Sequence, residues 1–217
     1  MRMQPDKDPA RSRAKRAVDI AVALGALAIA SPALLVAALL IRWSMGRPVL
    51  FRQERPGLHG RPFTLLKFRT MSHSADPSGR LLSDGERLTR LGVWLRRTSV
   101  DELPELWNVL RGEMSLVGPR PLLLKYLPFF TPEENLRFSA LPGITGWAQI
   151  HGRNAASWDS RLANDVWYVR HWSLLLDWKI LWRTVAKVVR CEHVIADPRS
   201  TMLDLDQERA RMEANLA

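Results

Sequence analysis

The sequence holds a single cysteine, Cys191, among 217 residues, which excludes an intramolecular disulfide framework. It also lacks a Walker A sequence, a dinucleotide-binding glycine fingerprint, a zinc-ligand spacing and any internal repeat, so several common enzyme and solenoid classes miss their residues. Carboxylates are outnumbered, with 22 Asp and Glu against 32 Lys and Arg, and the net charge of +10 implies an anionic partner. Nucleic acid, acidic lipid and phosphorylated substrates all qualify on charge alone. An apolar content of 47% excludes a disordered chain and, at this length, supports one domain with a real core.

The longest absence is local. From Ile20 to Ile41 there is no charged residue, and as one helix this run reaches roughly 33 Å, enough to cross bilayer hydrocarbon. A cleaved signal peptide and a buried soluble helix are the alternatives. The apolar run continues past the Ala28-Ile29-Ala30 cleavage-like site, which disfavours the first, and its uncharged length disfavours the second. Arg11, Arg13, Lys15 and Arg16 precede the run, and Arg42, Arg47, Arg52 and Arg55 follow it. Two basic flanks fit a segment that enters and leaves through the same face better than a simple crossing. Ser31-Pro32, near the middle, supplies a cause for the bend, because proline removes one backbone hydrogen bond and serine can recapture a carbonyl. Asp19 is expected to pair with Lys15 or Arg16 one turn back.

Beyond the run, two strands, Val49 to Gln53 and Phe63 to Phe68, are expected to form a hairpin through Gly57 and Gly60. Arg52, Arg55, Lys67 and Arg69 on it suit either a solvated face or a phosphate pocket. Residues 73–85 read as an exposed loop, and "GERLTRLGVWLRR" as one helix with Leu88, Leu91 and Leu95 inward.

"TSVDELPEL" then sets Asp101 beside Glu102 just ahead of Pro104. A capping box on Ser99 and Glu102 is one reading, but proline suits a first helical turn better, which makes Asp101 the cap. Leu103, Leu106, Trp107 and Leu110 would anchor this helix and Gly112 would end it. Two carboxylates at a helix start can be simple capping. They can also be a nucleophile that attacks phosphorus and a neighbour that holds Mg²⁺. Downstream, Gly118, Pro119 and Pro121 stiffen a turn around Arg120, a guanidinium suited to phosphate.

The ordered series "KRAVDI", Ser31-Pro32, "FRQERPG", "KFRTM", "LRRTSVDELPELWNVLRGEMSLVGPRP" and "PGITGWAQIHGRN" resembles the bacterial sugar transferases, in particular the small monotopic polyprenyl-phosphate phosphoglycosyl transferases. The resemblance runs from Lys15 to about Lys187. It implies a re-entrant helix turning at Ser31-Pro32, Asp101 as covalent nucleophile and Glu102 as its magnesium-associated partner, both near the metal. It further implies substrate contacts by Arg120, Lys67, Arg69, Arg97, Gln149, Arg153 and Asp165, and places Arg161 near the donor site with Arg153 and Asp165, for which surface ion pairing is the alternative. The implied reaction passes sugar-1-phosphate from a UDP-sugar to undecaprenyl phosphate and releases UMP, at the cytoplasmic face of a bacterial inner membrane. Membrane lipid is then a partner, nucleic acid is not, and a homodimer is compatible. Val100 and Glu105 depart from the family's usual Leu and Gln around the dyad, and Glu113 stands where Asp is common. Trp147 and His151 replace the expected leucine and asparagine. His151 suits a surface or hydrogen-bonding role better than a general base.

In the last third, Trp158, Trp167, Tyr168, Trp172, Trp178 and Trp182 lie among basic helical segments, which suits either interfacial amphipathic helices or an aromatic core stripe. The expected fold is α+β: a compact, helix-rich monotopic membrane protein with a re-entrant N-terminal helix hairpin, a short β-hairpin and interfacial helices. Its expected divisions are a basic segment 1–16, a membrane helix 17–42, a catalytic domain 43–190 and a tail 191–217 ending in a short helix. A glycosyltransferase that moves sugar without phosphate, and a non-enzymatic anion-binding membrane protein, are the competing functions.

Overall fold

The computed structural model describes residues 9, 10, 12–76, 78–151, 157–190 and 204–216. Arg153 and Cys191 lie outside them.

Helix α1 spans Arg13–Met45 and is long and apolar enough to cross a membrane, with a mean hydropathy of 2.4 in its most apolar window. Ser12 caps it by accepting from the Lys15 amide at 3.2 Å. The helical backbone continues through Pro32, so Ser31-Pro32 is a feature inside one helix and not a loop joining two. The Ser31 hydroxyl donates to the Ala28 carbonyl at 2.8 Å, while Pro32 contributes no amide to the ladder.

Both ends of α1 are fastened to the rest of the protein. At the first end Lys15, Asp19 and Ala23 are buried. Lys15 donates to Asp177 at 2.6 Å and to the Val117 carbonyl at 3.0 Å, and Asp19 accepts from the Leu116 amide at 3.1 Å. The charge of Lys15 does act on Asp19, as expected, but the hydrogen bonds of both go to partners distant in sequence and Arg16 donates to the Val109 and Leu110 carbonyls, because burial at this end leaves each charge to be satisfied by the elements packed on it. At the other end Ala37 and Ile41 pack with Phe68 and Leu95, and Arg69 donates to the carbonyls of Met45, Gly46 and Arg47. Between the ends the surface is apolar and open, with Ile29 85% and Leu35 62% exposed.

Strands β1 (Leu50–Pro56) and β2 (Pro62–Phe68) form the antiparallel hairpin, in register from Leu50 opposite Phe68 to Pro56 opposite Pro62. The first strand starts one residue later than expected and runs three residues further, stopping at proline, which cannot extend a ladder. Leu88 pairs with Met71 in an isolated bridge, so the single helix expected here divides into α2 (Asp84–Arg87) and α3 (Arg90–Arg97), with Thr89 capping α3. Gly92 lets α3 lie on the Thr70 backbone: a Cβ there would fall 1.9 Å from the Thr70 carbonyl oxygen.

A 3₁₀ turn, Val100–Glu102, leads to α4 (Glu105–Arg111). Asp101 therefore lies in the turn ahead of α4 and does not cap it; Pro104 takes that position. Gly112 ends α4 in the left-handed region as expected (φ 79°). Of the expected stripe Leu106 is buried, Leu103 and Leu110 are half-buried and Trp107 faces outward, while Val109, outside that stripe, is fully buried. Strand β3 (Ser115–Val117) pairs in parallel with β4 (Gly143–Thr145). Two 3₁₀ segments, Leu124–Phe129 and Glu134–Ser139, lie between them in sequence. Helices α5 (Trp147–Ile150), α6 (Trp158–Arg170), α7 (Leu174–Val189) and α8 (Leu205–Leu216) complete the described chain.

The fold is thus a mixture of many helices and two small sheets. Its aromatic residues divide between the two expected uses. Trp158, Tyr168 and Trp172 are core, whereas Trp178 and Trp182 join Leu175 and Val185 in an exposed apolar face of α7.

Candidate active site

The carboxylates sit where three elements converge: the 3₁₀ turn after α3, the end of β2 and the turn after β3. Ser99 adopts φ 55° at the entry to the 3₁₀ turn, and Thr98 closes α3 by donating to the Trp94 and Leu95 carbonyls. Leu106 and Val109 fix α4 behind the turn. Asp101 is buried there.

Glu102 is held by two cations on one oxygen. Its Oε1 accepts from Lys67 Nζ and from Arg120 Nη2, each at 2.7 Å. Lys67 also lies 3.0 Å from Glu105. Lys67 is brought by β2, and Arg120 by the Gly118–Pro121 turn, where Gly118 is required by close packing: its Cβ would lie 2.2 Å from the Leu141 carbonyl oxygen.

This arrangement separates the acids electrically. Burial, seconded by the Glu102 charge, pushes Asp101 up to about 6 against the pull of Lys67, Arg96 and Arg120. For Glu102 burial acts upward too, but Arg120 and Lys67 overrule it and hold the carboxylate well below its ordinary range. Glu105 is pushed up to about 7 by burial, which Lys67 offsets only in part. Arg120 is in turn raised by Glu102.

Of the residues expected at the site, Asp101, Glu102, Lys67 and Arg120 come together. Asp165 lies one step behind: it accepts from Arg137 Nη2 at 2.7 Å, and the same Nη2 donates to the Arg120 carbonyl at 2.7 Å. Arg69 belongs to the far end of α1 and is committed to three carbonyls there. Arg97 is exposed, whereas its neighbour Arg96 faces inward, donating to Thr70 and acting on Asp101. Gln149 is buried on α5, with neither amide atom hydrogen-bonded. His151 is exposed and its Nδ1 meets the Trp147 carbonyl at 3.0 Å.

Sequence reasoning passed over Arg96, Arg137 and Glu105 as site residues, whereas Arg161 was expected near the donor site from the resemblance and Arg55 on either a solvated hairpin face or a phosphate pocket. Arg55 and Arg161 are lowered first by burial and next by the Arg120 charge, so three guanidiniums share one neighbourhood. Such a group suits a diphosphate.

Among the described residues no three or more His, Cys, Asp or Glu side chains form a metal cluster. The donors present nevertheless fit Mg²⁺, which commonly takes one or two carboxylates and completes its shell with water and phosphate. The cations on Glu102 both occupy Oε1, so Oε2 enters neither contact.

The profile of bacterial sugar transferases matches residues 10–191. Uncharacterized sugar transferase EpsL of Bacillus subtilis (strain 168) is 52% identical over 180 residues, covering 83% of this chain and 89% of that protein. UDP-glucose:undecaprenyl-phosphate glucose-1-phosphate transferase of Caulobacter vibrioides is 42% identical over 189 residues, 82% of this chain and 71% of its own length. Exopolysaccharide production protein ExoY of Sinorhizobium fredii is 38% identical over 191 residues, 80% of this chain and 84% of its length. With a buried Asp101 beside a half-buried Glu102 that lysine and arginine hold, and a family match across most of its length, the chain belongs to the bacterial sugar transferase family.

Proposed function

We propose that the protein is a phosphoglycosyl transferase that moves sugar-1-phosphate from a UDP-sugar to undecaprenyl phosphate, an opening step of exopolysaccharide or related glycoconjugate assembly. The observation that carries this reading is the division of labour in the dyad: Glu102 is pinned by Lys67 and Arg120, while Asp101 beside it is left to react. An Asp101 oxygen attacks the sugar-bearing phosphorus, the bond to the bridging oxygen breaks, and UMP departs with that oxygen. Undecaprenyl phosphate then attacks the same phosphorus, giving sugar-diphosphate-undecaprenol and restoring the carboxylate. Arg120 and its neighbours Arg55 and Arg161 bind and orient the diphosphate. Mg²⁺, held by Glu102 and Asp101 oxygens, would neutralise phosphate charge when bound.

The acceptor is a membrane lipid, and α1 is read as a re-entrant segment at the cytoplasmic face of the inner membrane. This topology is supported by the fastening of both α1 ends, through Lys15 and Ile41, to one catalytic unit while the apolar middle stays uncovered. Purified protein is tested with UDP-glucose, UDP-galactose and their N-acetyl forms, Mg²⁺ and undecaprenyl phosphate. UMP is the expected product; UDP would assign a transferase that moves sugar without phosphate.

A further inference from the structure

Helix α8 lies beyond the stretch shared with the family, which ends at residue 191. It is nevertheless docked, and its contacts converge on one region. Leu205 is fully buried among Tyr126, Phe130, Trp158 and Leu162. Lys125 donates to Asp204 at 2.6 Å and to Asp206 at 3.1 Å. Arg209 donates to Glu134 at 2.7 Å and to Asp159 at 2.8 Å. One short helix thereby ties together the 124–129 segment, the 134–139 segment and α6.

Those three elements hold Arg120. The 124–129 segment follows Arg120 directly after Pro121 and two leucines. The 134–139 segment carries Arg137, whose guanidinium holds the Arg120 carbonyl, and α6 carries Asp165, which holds Arg137. Arg161, on α6 between Asp159 and Asp165, feels the charges of both Arg120 and Glu208.

We propose that α8 is a positioning element for the donor site, with Asp204, Asp206 and Arg209 clamping the segments that orient Arg120, so that donor affinity depends on its docking. The proposal rests on the reading of Arg120 as a diphosphate-binding residue. Because the clamp is built from ion pairs, with the Lys125 and Asp204 side chains both nearly half exposed, it weakens with salt.

The test compares full-length wild type, Lys125→Glu and Lys125→Glu combined with Asp204→Lys and Asp206→Lys. Steady-state UMP release is measured with the UDP-sugar that wild type uses best, and amide hydrogen exchange is followed over residues 118–126. Lys125→Glu should raise donor KM about fivefold, leave kcat and acceptor KM within about twofold, and speed exchange in that segment. The combined variant should restore both. Unchanged donor KM and unchanged exchange in Lys125→Glu overturn the clamp, as does an equal fall of activity toward donor and acceptor that the combined variant fails to rescue. If wild type releases UMP from no donor, the transfer reading fails instead, and the exchange comparison still decides whether α8 holds the Arg120 turn.

Discussion

Lys15, in the first turn of α1, and Asp177, on α7, form a buried ion pair of 2.6 Å across 162 positions of sequence. Asp177 also accepts from Tyr168 at 2.7 Å and from Trp172 at 3.0 Å, so one carboxylate locks the long apolar helix to α6, α7 and the turn between them. Lys15→Met removes the cation and leaves that carboxylate buried. It should lower stability by about 3 kcal/mol, read as a fall in the denaturant midpoint in detergent. Adding Asp177→Asn should recover part of the loss, since the uncompensated charge is then gone while an amide oxygen still accepts from Tyr168 or Trp172.

Fastening at both ends also sets the expected topology. In a Cys191→Ala background, single cysteines at Ala14 and Ser44, both exposed, should each resist an impermeant thiol reagent in intact cells and react after permeabilisation. Labelling of only one from outside would mean that α1 crosses. Ser31→Ala with Pro32→Ala restores the missing amide and removes the Ser31 to Ala28 bond, so part of the population should shift toward crossing.

Arg120 reaches Glu102 through Nη2 at 2.7 Å while its carbonyl is held by Arg137. Lysine can keep the charge but not the planar fork that spans a carboxylate and a phosphate. Arg120→Lys should therefore reduce kcat/KM about tenfold or more, roughly 1.4 kcal/mol, with membrane binding unchanged.

What the sequence disclosed and what it hid divide along a physical line. The dyad, the Arg120 turn, the β-hairpin and the apolar helix are local patterns, set by proline, glycine and hydrophobic runs within a few residues. Arg97 in place of Arg96 was a one-position choice on α3 that only the packing of Leu91 and Leu95 resolves. Arg69 and Asp165 are expected at the donor site through the family resemblance; the contacts that place them, to a helix end for Arg69 and to Arg137 for Asp165, are long-range and leave no local pattern in sequence. Asp19 and Lys15 found partners about 100 or more positions away, beyond any periodicity argument.

Glu105 offers a pH test. Its carboxyl is pushed from 4.5 up to about 7 by burial, so the folded state binds a proton more tightly than the unfolded chain. Stability from the protonated form is complete below about 4.5 and is lost as pH rises through about 7. Glu105→Gln keeps the shape without the ionisation, so it should be the more stable protein at pH 8 by about 1–3 kcal/mol, with the gap closing near pH 5. Thermal melts of both proteins across this range, without Mg²⁺, give the comparison.

The dyad makes the sharpest prediction, because a nucleophile and its charged neighbour should fail differently. With donor and Mg²⁺ but no undecaprenyl phosphate, wild type should release at most about one UMP per site and gain one sugar phosphate in intact mass. Asp101→Asn should do neither. Glu102→Gln keeps the nucleophile but gives Lys67 and Arg120 a neutral partner, so the adduct should form slowly and respond to added Mg²⁺. Attack requires the ionised carboxylate, and Asp101 is pushed up to about 6, so adduct formation should rise with pH through about 6 and then level off. Bound Mg²⁺ favours the anion and should move this midpoint down, not up. An adduct on Asp101→Asn, or UMP release that always needs both substrates, would replace the two-step transfer by direct attack of undecaprenyl phosphate on the bound donor.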